Sequence, residues 1–318
     1  MDAISALLDK VRAHSAVFTR SLLDPPWSLR FVDGAPIRLL TMLSGRAWIS
    51  TGTGEPHLLG AGDVALLAGG GPVTVADTPV TGGAPPTVTV HSDDLCVGAD
   101  GTPLGEDRRL DHYSWGTTPD ARDAVLSCAY EVTGEIARRV LSELPALVVL
   151  GCEDEEEECP EVALVLAELR RRRAPGRQVV LDRLLDLLLV STLREWFARD
   201  GTPVPGWYRA LDDPVVSEAL RLIHEEPARP WTVGELARRS GASRAAFARR
   251  FGQVVGEPPM AYLTGWRLAL AADLLRESGE TVGAIARRVG YADASALSVA
   301  FKRAHAVRPT AHREARAS

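Results

Sequence analysis

Four cysteines, seven histidines and one dense run of carboxylates are the residues of this 318-residue chain whose types could carry redox or metal chemistry. The cysteines stand at Cys96, Cys128, Cys152 and Cys159, and the last two bracket six consecutive acidic residues in CEDEEEEC, 152–159. A calcium loop interleaves its carboxylates with turn residues such as Gly or Asn. Here there are none, and six adjacent like charges repel one another and favour an extended, solvated loop. A redox switch needs a thiolate, which the same negative charge disfavours. Asp93 and Asp94 act likewise on Cys96, while Cys128 lies in the apolar, strand-like AVLSCAYEV, where a thiol is buried and inert. Redox sensing by these four cysteines is therefore the minor reading, and the acidic run reads as a spacer. His57, His91 and His112 are scattered and form no His-x-His pair, so no metal and no other cofactor is expected. The chain has no GxSxG, P-loop, dinucleotide fingerprint or HExxH, so no catalytic residue is assigned and the chain is not read as an enzyme.

The chemistry that the sequence repeats is cationic. TVGELARRSG at 232–241 and TVGAIARRVG at 281–290 agree at seven of ten positions, 49 residues apart. Each copy is followed by a second helical segment, SRAAFARRF at 243–251 and ASALSVAFKR at 294–303. Thr232 and Thr281 are N-cap candidates, with Glu235 as a capping-box partner in the first copy. Gly241 and Gly290 suit a turn with left-handed backbone. Phe247 and Phe251, and likewise Leu297 and Phe301, are four apart and predict a buried face. The outward face then carries Ser243, Arg244, Ala245 and Arg249 in the first copy, and Ala294, Ser295, Ser298 and Lys302 in the second. A helix showing Arg and small polar residues can enter a major groove, where Arg pairs bidentately with guanine. Two helix-turn-helix units, at about 232–252 and 281–303, follow. PPMAYLTGWRLALAADLLRES, 258–278, predicts a helix between them that starts at its prolines.

Other elements must hold these helices in place. Upstream, IRLLTML, RAWIST, PHLLGAGDVALLA, PVTVAD and TVTVH are short β-branched segments punctuated by Gly and Pro, the pattern of a small barrel or sandwich. A helix is expected at Asp2 to His14 and an antiparallel helix hairpin at 160–172 and 178–198, whose second helix has more apolar surface than one face can use. RDGTPVPGWYRALDDP reads as a linker. The expected fold is α+β in two domains: a small β-barrel or sandwich with a helix hairpin over 1–198, a linker at 199–214, and an all-α domain over 215–318. Net charge is −6, but residues 212–318 hold 16 Arg and Lys against 12 Asp and Glu, so a basic module is joined to an acidic one. The longest apolar runs are broken by charges, and the N-terminus has no apolar signal-peptide segment, so a cytoplasmic protein with no membrane span is expected.

The stretch from Pro230 to Arg313 resembles the DNA-binding domain of the AraC/XylS family of bacterial transcription regulators, over about residues 215–313. The resemblance implies that the outward residues of both second helices face bases. It also has departures: the family often carries Arg where this chain has Val299, and Phe-Gly where it has His305-Ala306. The second reading helix is therefore chemically poor, and the first is expected to do most of the direct reading. The N-terminal half is similar to the cupin-type sensor domain of one AraC subgroup, through DAISALLDKVRAHSAVFTRSLLDPPW and LLGAGDVALLAGGGPVTVAD. Metal-binding cupins use histidines and a carboxylate, but here Val73 and Thr74 stand where a ligand His is expected. The expected function is a transcription regulator whose sensor domain controls two helix-turn-helix units. The alternative is a cupin-type metal-dependent enzyme with an accessory DNA-binding domain. Expected partners are double-stranded operator DNA, a second copy of the chain through the 160–198 helices, a small-molecule or redox signal, and RNA polymerase as a further candidate.

Overall fold

The computed structural model describes residues 17–314 apart from 53, 80–85, 93–94, 106–107, 112, 131–133, 143, 152–158, 172–174 and 200–205. The helix expected at Asp2 to His14, His112, Cys152 with its acidic run, and the first part of the expected linker lie outside the described residues. Contacts divide the chain into two units. Of the described residues, those within 17–130 and 144–199 build one, and those within 134–142 and 206–314 the other.

The first unit has two six-stranded sheets. Its strands are β1 (Val17–Leu23), β2 (Ser28–Phe31), β3 (Ile37–Ser44), β4 (Ala47–Ser50), β5 (His57–Leu59), β6 (Val64–Ala68), β7 (Val73–Ala76), β8 (Val88–Ser92), β9 (Leu95–Gly98), β10 (Ser114–Gly116), β11 (Asp123–Tyr130) and β12 (Leu147–Leu150). The orders are β10-β1-β11-β3-β6-β12 and β5-β4-β7-β2-β8-β9. Alternate residues of each strand point to opposite faces, so Leu40 and Met42 of β3 meet Leu29, Phe31, Ile49 and Val75 of the other sheet in one core. The opposite face of β3 is buried too, at Ile37, Leu39 and Thr41. The helix hairpin, α2 (Pro160–Arg170) and α3 (Arg177–Ala198), accounts for part of this cover, since the Tyr130 hydroxyl donates to the Leu185 carbonyl at 2.9 Å. Strands read from β-branched runs are found where expected. The short β10 was not expected, and it is fixed by distant parallel pairing with β1 rather than by local sequence.

The second unit is helical: α1 (Glu135–Leu141), α4 (Gly206–Arg209), a 3-10 turn (Ala210–Asp212), α5 (Pro214–Glu225), α6 (Val233–Arg239), α7 (Arg244–Val255), α8 (Pro259–Glu277), α9 (Val282–Arg288), α10 (Ala294–His305) and α11 (Pro309–Glu314). Part of the expected 199–214 linker is therefore folded. Ala210 is fully buried, and a Cβ on Gly206 would stand 2.5 Å from the Val255 carbonyl oxygen, so only glycine fits there. The sequence also gives no sign that α1 belongs to this unit, since it precedes β12 in the chain. Ile136 enters the core beside Trp231, Tyr262 and Trp266, and the buried Asp273 carboxylate on α8 accepts the Glu135 backbone N–H at 2.5 Å. Arg139 pairs with Glu257 and lies 5.3 Å from the Tyr262 ring centroid. Helix α8 serves two cores: Tyr262, Leu263, Trp266 and Ala269 face the first, while Leu268, Ala271, Ala272 and Leu275 face the second. Being apolar on most sides, it is held from both.

Candidate nucleic-acid interface

Both helix-turn-helix units are capped by their own side chains. Thr232 accepts the Glu235 N–H at 3.1 Å and Thr281 the Ala284 N–H at 3.2 Å, which starts α6 and α9. The Glu235 carboxylate is engaged by Arg229 at 2.7 Å. Gly241 and Gly290 have φ of 71° and 89°, a conformation that L side chains rarely adopt, and each chain then turns into its second helix. Ser243 caps α7 by accepting the Ala246 N–H at 3.4 Å, and Asp293 caps α10 by accepting the Ala296 N–H at 2.8 Å. Phe247, Phe251, Leu297 and Phe301 are all fully buried, which fixes the opposite face of each helix outward.

The caps and the buried residues superimpose the two second helices at an offset of 50 residues, so Arg244 corresponds to Ala294, Ala245 to Ser295, and Arg249 to Val299. Ser243, Arg244, Ala245 and Arg249 are exposed together on α7. On α10, Ser295 and Lys302 are exposed, whereas Ala294 and Ser298 are half-buried. Among the described residues, no hydrogen bond or ion pair takes up Arg244, Arg249 or Lys302, so their donors are available to a ligand. Arg250, next in sequence, has a different role: it pairs with Asp213, whose carboxylate also accepts the Val215 and Val216 N–H groups at 3.0 and 3.1 Å to cap α5. Burial works against that charge, but Arg250 and the two backbone donors together hold the Asp213 carboxyl below its ordinary value. Val299, marked in the sequence only as a departure from the family's Arg, is 71% exposed in the middle of α10's outward face.

The other flagged residues are placed differently. Cys128 is fully buried on β11, and burial pushes its thiol up to about 12, against the weaker opposing effect of Arg38. The Cys159 thiol is raised by burial and donates to Glu161 at 3.2 Å. Cys96 is half-buried on β9 and packs against the sandwich core. His57 and His91 are exposed on β5 and β8, and no group of three metal-ligating side chains occurs among the described residues. Nor is any described helix long and apolar enough to cross a membrane.

A family model described as Cupin matches residues 2–198, and one described as Helix-turn-helix domain matches residues 236–315. The chain is 31% identical over 322 residues to an AraC-like transcription regulator of Streptomyces lividans, covering 99% of this chain and 98% of that protein. It is 27% identical over 317 residues to the HTH-type transcriptional regulator AlkR of Acinetobacter baylyi, covering 99% of each. Among solved structures, the DNA-binding domain of AdpA in complex with a target DNA is similar to 32% of this chain and 92% of that chain, at 33% identity and a TM-score of 0.31. These full-length relatives are regulators rather than enzymes. The chain belongs to the AraC family of transcription regulators, with an N-terminal cupin sensor domain and a C-terminal helix-turn-helix domain that binds DNA.

Proposed function

We propose that the regulator reads a two-part operator, with α7 and α10 each laid in a major groove. The first part is read by Ser243, Arg244, Ala245 and Arg249, the second by Ala294, Ser295, Ser298 and Lys302. The observation that carries this reading is that two helices, each with a side-chain N-cap, a preceding turn glycine and a buried inner face, share α8 as a common support. A helix of 19 residues is about 28 Å long at 1.5 Å per residue. That length is close to the ~34 Å between successive major-groove faces on one side of DNA. The fork of Arg249 suits guanine, and the hydroxyls of Ser295 and Ser298 suit either a base edge or a phosphate.

The signal is proposed to enter through the cupin domain in the cytoplasm. A small molecule is favoured over an oxidant, because burial holds the Cys128 and Cys159 thiols protonated at neutral pH. Homodimerisation is proposed through the hairpin, where Leu164, Val179, Val180 and Leu187 remain between 43% and 63% exposed. The test is selection of duplexes from a random pool by the full chain. Enrichment of two short elements about one helical turn apart supports the proposal. Binding that never rises above that of unselected DNA defeats it.

A further inference from the structure

Val299 occupies on α10 the position that Arg249 occupies on α7, six residues past the N-cap and two before the buried phenylalanine. It is the most exposed of the large apolar side chains among the described residues, at 71%. Its own face holds Ser295 and Lys302, one turn to either side, both exposed. The core of the second unit is complete without it: Leu297 and Phe301 point the other way and are fully buried. A β-branched apolar residue standing in water at mid-helix gains nothing from folding and has low helix propensity. The major groove offers one apolar feature for such a side chain, the C5-methyl group of thymine.

The geometry points to Val299 as a specificity-determining residue that reads a thymine methyl in the second half of the operator, where Arg249 reads guanine in the first. This rests on the reading of α10 as a groove-facing helix. Ser295, Ser298 and Lys302 position the helix on the backbone and neighbouring edges, and Val299 supplies the discrimination. The second unit thus reads a methyl group where an arginine at the same position would read hydrogen-bond acceptors.

The experiment uses the full chain and a duplex selected from a random pool, with each thymine in turn replaced by deoxyuridine, which removes only the methyl. For the wild type, one substitution in the second element is expected to weaken binding about fourfold, the effect of one buried methyl-sized group. For Val299→Ala, the same substitution is expected to change nothing. Val299→Arg should move the preferred base at that position from T towards G when the selection is repeated. If no thymine separates wild type from Val299→Ala, the inference is overturned. If the pool yields no enriched second element at all, the reading of α10 as a sequence reader fails, and this inference falls with it.

Discussion

Arg249 and Arg250 are neighbours on α7 with opposite environments, and replacing each by alanine should separate reading from folding. The Arg250 guanidinium holds the Asp213 carboxylate, with side-chain exposures of 51% and 11%. A pair so open to solvent is worth about 0.5–1 kcal/mol, and Asp213 keeps its two backbone donors when Arg250 is removed. Arg250→Ala should therefore lower the Tm of the helical unit by about 2–6 °C and leave operator affinity unchanged once the protein is folded. Arg249→Ala removes no described contact, so its stability should stay within the about 0.5 kcal/mol usual for surface substitutions. Its operator affinity should instead fall by about 1–3 kcal/mol, or roughly 5- to 150-fold, if a bidentate contact to a base is lost. Calorimetry reads the first quantity, and fluorescence anisotropy of labelled operator at several salt concentrations reads the second. A base contact is lost on the operator but not on random DNA. A phosphate contact would weaken both equally and reduce the salt slope by about one. The assignment is refuted if Arg249→Ala keeps wild-type operator affinity at fixed salt, or if its losses on operator and random DNA are equal.

Three further outcomes follow from the same geometry. Asp273→Ala removes the carboxylate that accepts the first N–H of α1, and the lost bond outweighs the relief of a buried charge by about 1–2 kcal/mol. Faster hydrogen exchange in α1 than in α9 would register this, and unchanged exchange would count against it. His224 stacks on Trp266 at 3.9 Å, and burial, with Arg139 nearby, pushes its pKa down to about 4. His305 and His312 shift the same way for the same leading reason. The folded unit then binds fewer protons than the unfolded chain between about pH 4 and pH 6.5. His224 should therefore cost about 2 kcal/mol of stability between pH 7 and pH 5, and denaturant titrations of His224→Gln should show a shallower loss. Val179→Asp with Leu187→Asp places charge on exposed apolar positions of α3 and should convert the proposed dimer to a folded monomer in sedimentation. An unchanged sedimentation coefficient would count against the proposed hairpin interface.

The helix-turn-helix units were legible because each signal is local. A capping hydroxyl, a glycine in the turn and two apolar residues four apart sit within one short segment, and every one took its expected place. The β-branched strands were legible for the same reason. What could not be read depends on partners far away in the chain. Seven-residue α1 has no local feature that assigns it to the helical unit; Asp273 lies 138 residues from Glu135. The expected linker hid a helix because Gly206 and Pro205 look like loop residues until the Val255 carbonyl is seen to leave no room for a Cβ. Helical spacing put Arg249 on the outward face of α7, but nothing local showed that its neighbour Arg250 is held by Asp213, 37 residues earlier in the chain.

The chemical poverty of the second unit looks at first like decay, but decay predicts a pattern that is absent. An outward helix face with no ligand accepts any polar residue, and this chain carries 42 Asp and Glu in 318 residues. Helices α3, α5 and α8 each hold acidic residues within their length. Neither α7, RAAFARRFGQVV, nor α10, ASALSVAFKRAH, contains one. A surface that meets a polyanion excludes carboxylates whatever bases it reads, because each would add repulsion along the whole groove. Within its helical span α10 shares that exclusion, the adjoining Asp293 being engaged as the N-cap, although α10 lacks the counterparts of Arg244 and Arg249. The second unit also keeps a fully buried core, at Ile285, Ala286, Leu297 and Phe301. The two copies both keep buried inner faces and differ on the outward one, with Arg244 against Ala294 and Arg249 against Val299, and on the proposed reading this is the difference expected of two readers given different bases.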